Sequence, residues 1–405
     1  MGNDISTTSS NSSTNTTPIP QNFAGVYIPM AGIRLKSEKV NDYLSTSKKI
    51  TQTSNASFPQ KRTHIVKTSF TGVWSIEQTQ SEKSPVQRCG QFSAYDKSRN
   101  LVIVGFGVDN NGNYLNDLWL LDIQTHLWRP METHGCKIEP RSGARGVVVE
   151  DKLFIFGGVN DVTYYDDLFM VDLENCNVEK IDTHGDKPSG RSGFVFGAYE
   201  NKLFVWGGFN GNCLNELYKL DLSNWCWESQ NKDINGRANM AFTIVDNLIY
   251  VYGGSKTSGI LIINMANDDV YITPTTGPEP SPMITDASLV YFDSYLMLIG
   301  GKASSPSTFL YGLDLEKMRW FIFHTLPDGT SVSTVDGTIS ELGMFMLPRT
   351  HSMNAVYDKQ KREILGFLGQ PIDDTANMFI LGVGEALSLL HLRNDMFEVV
   401  HKKTD

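Results

Sequence analysis

Cysteine is scarce in this chain and badly spaced for chemistry. The five residues, Cys89, Cys136, Cys176, Cys213 and Cys226, are odd in number, scattered, and form no CxxC pair. Neither a disulfide scaffold nor a zinc framework is expected; reduced thiols in a cytoplasmic protein are. Positive charge is short as well. The formal net charge is -10 over 405 residues, whereas general binding to nucleic acid needs clustered Lys and Arg. No apolar run is long enough to suggest a transmembrane helix. The most apolar window, Met378 to Leu392, is short and carries Glu385. The N-terminus lacks a charged start followed by an apolar block, so no secretory signal is expected. Catalytic signatures are also missing. There is no nucleophile elbow and no phosphate loop. Gly105-Phe106-Gly107 lacks the third glycine and the following helix of a dinucleotide loop. The sequence therefore offers no catalytic residue, no metal ligand and no cofactor.

What is present begins with a biased tail. Residues 6 to 17 are all Ser, Thr or Asn, a composition with nothing to bury, and disorder is expected there. Met1-Gly2 with Ser6 fits the acylation pattern M-G-x-x-x-[ST], which makes Gly2 a candidate lipidation site. One myristoyl chain would give weak, reversible membrane association. Residues 1–67 read as tail and linker, with a short helix near Arg34 to Leu44.

From about Thr68 the chain repeats. Gly107, Gly158, Gly208, Gly254 and Gly301 end successive apolar strands and are spaced 46 to 51 residues apart. A period near 50 with four short strands per unit is the mark of a β-propeller. Opening arginines recur with the glycines: Arg88, Arg141, Arg191 and Arg237. Pro282 stands where the fifth would be, and Arg349 opens the sixth unit. Third strands recur as Asn116-Asp117-Leu118-Trp119-Leu120-Leu121-Asp122 and Asp166-Asp167-Leu168-Phe169-Met170-Val171-Asp172.

An opening Arg, a Gly-Gly after the second strand, an Asp-bearing third strand and a fourth-strand Trp together resemble the Kelch-repeat β-propellers. The resemblance covers about Thr68 to Gly384. It implies an all-β fold of six Kelch-type blades. The departures are local. Blade one has Gly105-Phe106-Gly107 for the doublet, blade two has Val178 for the Trp, blade four lacks the third-strand Asp, and blade six keeps only Gly369. Kelch-type specifier proteins hold iron with Glu, Asp and His at four-residue steps. Here Asp122 and His126 keep that spacing, but Leu118 replaces the Glu. His134 and His184 fall in a repeated Thr-His-Gly and read as inherited structure.

Closure is legible from a leftover piece. Trp74 precedes Arg88 at about the spacing by which Trp128 precedes Arg141, so Gly72 to Glu77 looks like a fourth strand without its first three. Arg349 to Gly384 has three strands and needs a fourth. The N-terminal strand is expected to complete it, which removes two open sheet edges. Phe397 to Val400 is the alternative. The chain then divides into the tail and linker (1–67), the propeller (68–384) and a C-terminal extension (385–405).

In an up-and-down blade, the opening arginines, the loops after the doublets and the inter-blade links share one face. The hairpins on the other face collect acids such as Asp122, Asp172, Asp221, Asp314 and Asp358, which read as turn chemistry. The first face carries Arg88, Arg141, Arg145, Arg191, Arg237 and Arg349, with Tyr114, Tyr164 and Phe209 on its loops. Each Arg is either a structural tie or part of a guanidinium surface for carboxylates. The resemblance implies a partner with an acidic or C-terminal peptide motif. An insertion near Asp328 to Met346 lies on the same face. The expected function is a non-enzymatic protein-interaction module or adaptor. A propeller enzyme acting on a small molecule or sugar is the alternative, and it would need convergent carboxylates at the channel mouth.

Overall fold

Six apolar pentapeptides set the architecture: Leu101–Gly105, Lys152–Phe156, Lys202–Trp206, Leu248–Tyr252, Tyr295–Ile299 and Glu363–Phe367. They are buried almost end to end, without the alternation of a half-exposed strand. Each is the second strand of a blade, so neighbouring blades cover both of its faces. The computed structural model describes residues 71–303 except 79, 310–327, 351–369 and 377–383, with the pieces 33–35, 331, 338–339, 345–346 and 397–399.

Around these strands the chain forms an all-β propeller of six antiparallel blades. Blade one is Phe92–Asp96, Leu101–Gly105, Leu118–Asp122 and Trp128–Pro130. Blades two, three and four begin at Arg145–Val149, Val195–Tyr199 and Ala241–Val245 and repeat the same meander. Blade five begins at Ser288–Phe292 and blade six at Asn354–Asp358. Apolar clusters lie between successive blades all the way round, the last joining Val102, Val104 and Trp128 of blade one to Leu365 and Phe367 of blade six.

The N-terminal strand closes the ring as the sequence predicts. Thr71–Gln78 pairs antiparallel with Asn377–Gly382, Trp74 opposite Leu381. Phe397–Val399 pairs instead with Ile33–Leu35. A strand therefore stands where the predicted helix near Arg34 would begin; the rest of that window lies outside the described residues. At the far side of the molecule, Glu77 Oε2 lies 2.8 Å from His126 Nδ1, and His126 Nε2 lies 3.2 Å from Lys361 Nζ. His126 thus ties the closing strand to blades one and six.

The links explain the repeated Thr-His-Gly. His134–Gly135 and His184–Gly185 lie parallel to the outer strands of the following blades, pairing with Asn177–Val178 and Cys226–Trp227. Thr183 Oγ1 accepts from the Trp227 indole at 3.1 Å, and Thr275 Oγ1 does the same for Trp320. The end of blade five repeats the rule with the closing strand, His324 to Pro327 alongside Thr71 to Trp74. Within the insertion, Thr338–Ile339 pairs with Phe345–Met346, and Phe345 pairs with Thr325 of that outer strand. On the hairpin face, Asp122, Asp172, Asp221, Asp314 and Asp358 accept backbone N–H groups two residues on. That is Asx-turn chemistry.

The doublets are more regular than their residues. The first position has positive φ in every blade, with Phe106 (66°) and Leu368 (57°) standing where blades two to five have glycine. The second position is glycine throughout, because a side chain there meets backbone. A Cβ on Gly107 would come 2.7 Å from the Cys89 carbonyl oxygen. Its N–H donates to the carbonyl of the next blade's opening residue: Gly107 to Arg141, Gly158 to Arg191, Gly208 to Arg237, and Gly369 to Arg88. By the same bond, Gly254 to Ile284 at 2.8 Å, the fifth opening residue is Ile284, not Pro282. Ile284 is buried in the cluster between blades four and five, so hydrophobic packing replaces the guanidinium there.

Candidate functional site: the channel mouth

In blades one to five the residue two beyond the opening position adopts positive φ, Gly90, Gly143, Gly193, Asn239 and Asp286, and Ser352 matches them in blade six. They are joined head to tail. Gly143 donates to Gly90, Gly193 to Gly143, Asn239 to Gly193, Asp286 to Asn239 and Ser352 to Asp286, at 2.7–3.1 Å. The Gln91 side-chain amide closes the circle by donating to the Ser352 carbonyl at 2.7 Å. Small or turn-forming residues occupy all six positions because they tolerate left-handed backbone. This girdle surrounds a central channel whose cavity of about 170 Å³ is lined from all six blades.

The opening arginines do not reach that channel. Arg88, Arg141, Arg191 and Arg237 are 0–1% exposed. Each lies within its own blade and donates to the carbonyl of the first doublet position: Phe106, Gly157, Gly207 and Gly253. Arg88 also holds Asp117 through both oxygens (2.5 and 2.9 Å), and Arg141 holds Asp167 (2.5 and 3.3 Å). Arg141 further stacks on the Tyr165 ring, 3.6 Å from its centre. Arg191 has Glu216 at 3.9 Å and lies over Tyr218. Burial explains why Kelch-type blades need guanidinium here: a planar fork serves two acceptors at once.

Arg145 differs. It lines the channel, donates from Nε to the Phe194 carbonyl at 3.1 Å, and lies over the Phe242 ring. It has no ion pair among the described residues. Burial pulls its guanidinium below the usual value, and the nearby Asp286 charge opposes that. Opposite, Asp286 lies 3.9 Å from Lys302. His351 beside them is pushed below its ordinary value by burial and then by Lys302. Asp286 is the one carboxylate among the described channel-lining residues. No group of His, Cys, Asp or Glu able to hold a metal occurs among the described residues.

The loop aromatics form a rim over blades one to three. The Asp161 N–H donates to the Tyr114 hydroxyl at 3.0 Å. Tyr164 meets Phe209 edge to face, ring centres 6.2 Å apart. Phe209 is bound by its backbone to Ser192, next to the girdle. Val162, at the tip of the hairpin that carries Tyr164, is 88% exposed and Phe209 36%. Gly2 and Arg349 lie outside the described residues. Sequence reasoning missed Asn239, Asp286, Ser352 and His351 at the mouth; for Asn239 and Asp286 the signal was an offset of two residues from the opening position.

The Arg88–Asp117 pair carries a pH dependence. Burial raises the Asp117 carboxyl, but the Arg88 hydrogen bonds and charge, with the Trp119 indole, outweigh it, and its net pKa falls below the ordinary 3.8. A depressed folded value gives stability that is complete above the ordinary value and is lost as pH falls through the folded one. Thermal melts are therefore expected to drop below about pH 4. Asp117→Asn should flatten that acid limb; an unchanged limb would assign it to other carboxylates.

A protein-domain family described as the KLHDC2/KLHL20/DRC7 Kelch-repeats domain matches residues 51–254 and 160–336. Acyl-CoA-binding domain-containing proteins 5 and 4 of Arabidopsis thaliana are each 42% identical over 86 residues, which is 21% of this chain. The match spans 13% and 12% of the lengths of those relatives.

Proposed function

This chain belongs to the Kelch-repeat family, and from that premise we propose that it is a non-catalytic adaptor that docks a protein partner on the channel-mouth face. Kelch propellers are commonly interaction modules. The observation that carries the reading is the pairing on one face of a channel cation with no ion pair among the described residues, Arg145, with a rim on which Val162 and Phe209 are exposed and Tyr164 half-buried. Aromatic anchors beside Arg are the usual energetic centre of an interface. An acidic peptide segment suits Arg145, since a guanidinium takes a carboxylate through two hydrogen bonds. The five unpaired thiols, two of them exposed, fit the cytoplasm. The propeller-enzyme alternative calls for convergent carboxylates, and the described channel lining offers Asp286 alone.

The test is capture from native extract with the wild type against Arg145→Gln and Phe209→Ala, each checked for an unchanged melting temperature. A specific partner is expected to weaken by about tenfold or more in each variant, because an interface hot spot is worth about 2 kcal/mol. A partner retained by both would move docking away from this face.

A further inference from the structure

In blades one to three the opening arginine faces an acid of its own blade, placed just ahead of strand three: Asp117, Asp167 and Glu216. Blade four has Gly259 at that position, and its N–H donates to Glu279 Oε1 at 2.7 Å. Arg237 thus loses its carboxylate while staying 1% exposed. Its Nη1 makes a long bond to the Gly253 carbonyl, 3.4 Å. Its Nε and Nη2 have no partner among the described residues. These two N–H groups lie on one edge of the guanidinium and point the same way, which is the fork that grips both oxygens of a carboxylate. A buried charge left unpaired is destabilising, so a site of this kind gains from an anion. Burial also holds this guanidinium below its usual value.

Arg237 lines a pocket of about 410 Å³ together with Cys213, Asn215, Asp233, Asn235 and Thr257. That volume falls in the range of small-molecule sites. The pocket shares no lining residue with the channel. Asp233 has no ion pair among the described residues, and its charge favours a singly charged ligand over a phosphate dianion.

We propose that blade four holds a carboxylate-binding site, in which the carboxylate of a ligand takes the Nε–Nη2 edge of Arg237 and supplies the negative charge that an own-blade acid supplies at the Nη1 and Nη2 groups in blades one and two. The ligand is a small carboxylic acid or the acidic side chain of a peptide. The site stands independently of partner docking at the channel mouth.

The full-length protein is titrated at constant ionic strength with sodium acetate and, separately, with a blocked Ala-Asp-Ala tripeptide. The readouts are the NMR signal of the Arg237 Nε–H and the melting temperature. A saturable shift of that signal and a rise in melting temperature are expected for at least one probe, identifying the source as free acid or peptide. Arg237→Gln is expected to weaken binding at least tenfold. Arg237→Lys keeps the charge without the fork, should lose binding equally, and decides the matter if the Gln variant does not fold. No shift with either probe, or an equal melting response in wild type and Arg237→Lys, overturns the proposal. Binding that appears only in Asp233→Asn overturns it too, since the chain's own Asp233 would then occupy the fork.

Discussion

Arg141→Ala is expected to destabilise the propeller by about 3–5 kcal/mol, the cost of removing one partner from a buried ion pair. Arg141 is 1% exposed, and its guanidinium serves Glu139, Gly157 and Asp167 while stacking on Tyr165. Truncation leaves the Gly157 carbonyl and the Asp167 carboxylate without that donor. The Asp167 side chain is 13% exposed, so water compensates little. Arg191→Ala should cost less, because Glu216 stands 3.9 Å away and has formed no close pair. Urea unfolding at neutral pH reads both. The double change Arg141→Met with Asp167→Leu is expected to recover much of the loss, since apolar residues of similar volume often replace a buried pair without penalty. A loss below about 1 kcal/mol for Arg141→Ala, the size of a surface pair, would mean that the guanidinium is not what holds strand two to strand three.

That ordering shows how far the repeat was legible. Arginine and doublet recur because each meets a backbone group that successive blades present alike, and Trp227 and Trp320 each donate to a threonine hydroxyl of the link, so the sequence carries them as landmarks. Where a blade meets the same demand with another residue, the landmark vanishes and the geometry stays. Phe106 and Leu368 take the left-handed first doublet position that glycine takes elsewhere. Ile284 takes an opening position by packing, so proximity to Pro282 misled the reading. The girdle is harder still to see. Glycine fills it in blades one to three, but Asn239, Asp286 and Ser352 fill it in the rest, and their common property is tolerance of positive φ. The arginine surface was the largest divergence between pattern and geometry. A residue type repeated at one position can mean a shared ligand or a shared backbone contact, and one sequence does not separate them. Burial does: four of the guanidinium groups lie inside their blades, and Arg145, four residues after Arg141, lines the channel.

Trp74→Ala is expected to cost about 3–5 kcal/mol, the range for truncating a large buried aromatic, although Trp74 lies about 300 residues in sequence from its partner Leu381 in the blade it completes. It is 1% exposed and meets Phe379 edge to face, ring centres 6.5 Å apart. It packs with Leu381 and Phe323, so it touches the third strand of blade six and the outer strand of blade five together. Its strand bonds to both: antiparallel to Asn377–Gly382 and parallel to His324–Pro327. A chain beginning at residue 80 therefore exposes two unpaired strand edges at once, and edge-to-edge association should follow. Size-exclusion chromatography is expected to show aggregation of that truncation, whereas a chain beginning at residue 68 should remain monodisperse. A synthetic peptide of residues 68–79 added in trans should restore the monodisperse species, because the groove it fills is defined by six register pairs, Val73 to Gln78. If the chain beginning at 80 stays monodisperse and melts like the full protein, blade six closes by another segment and the role assigned to Thr71–Gln78 is wrong.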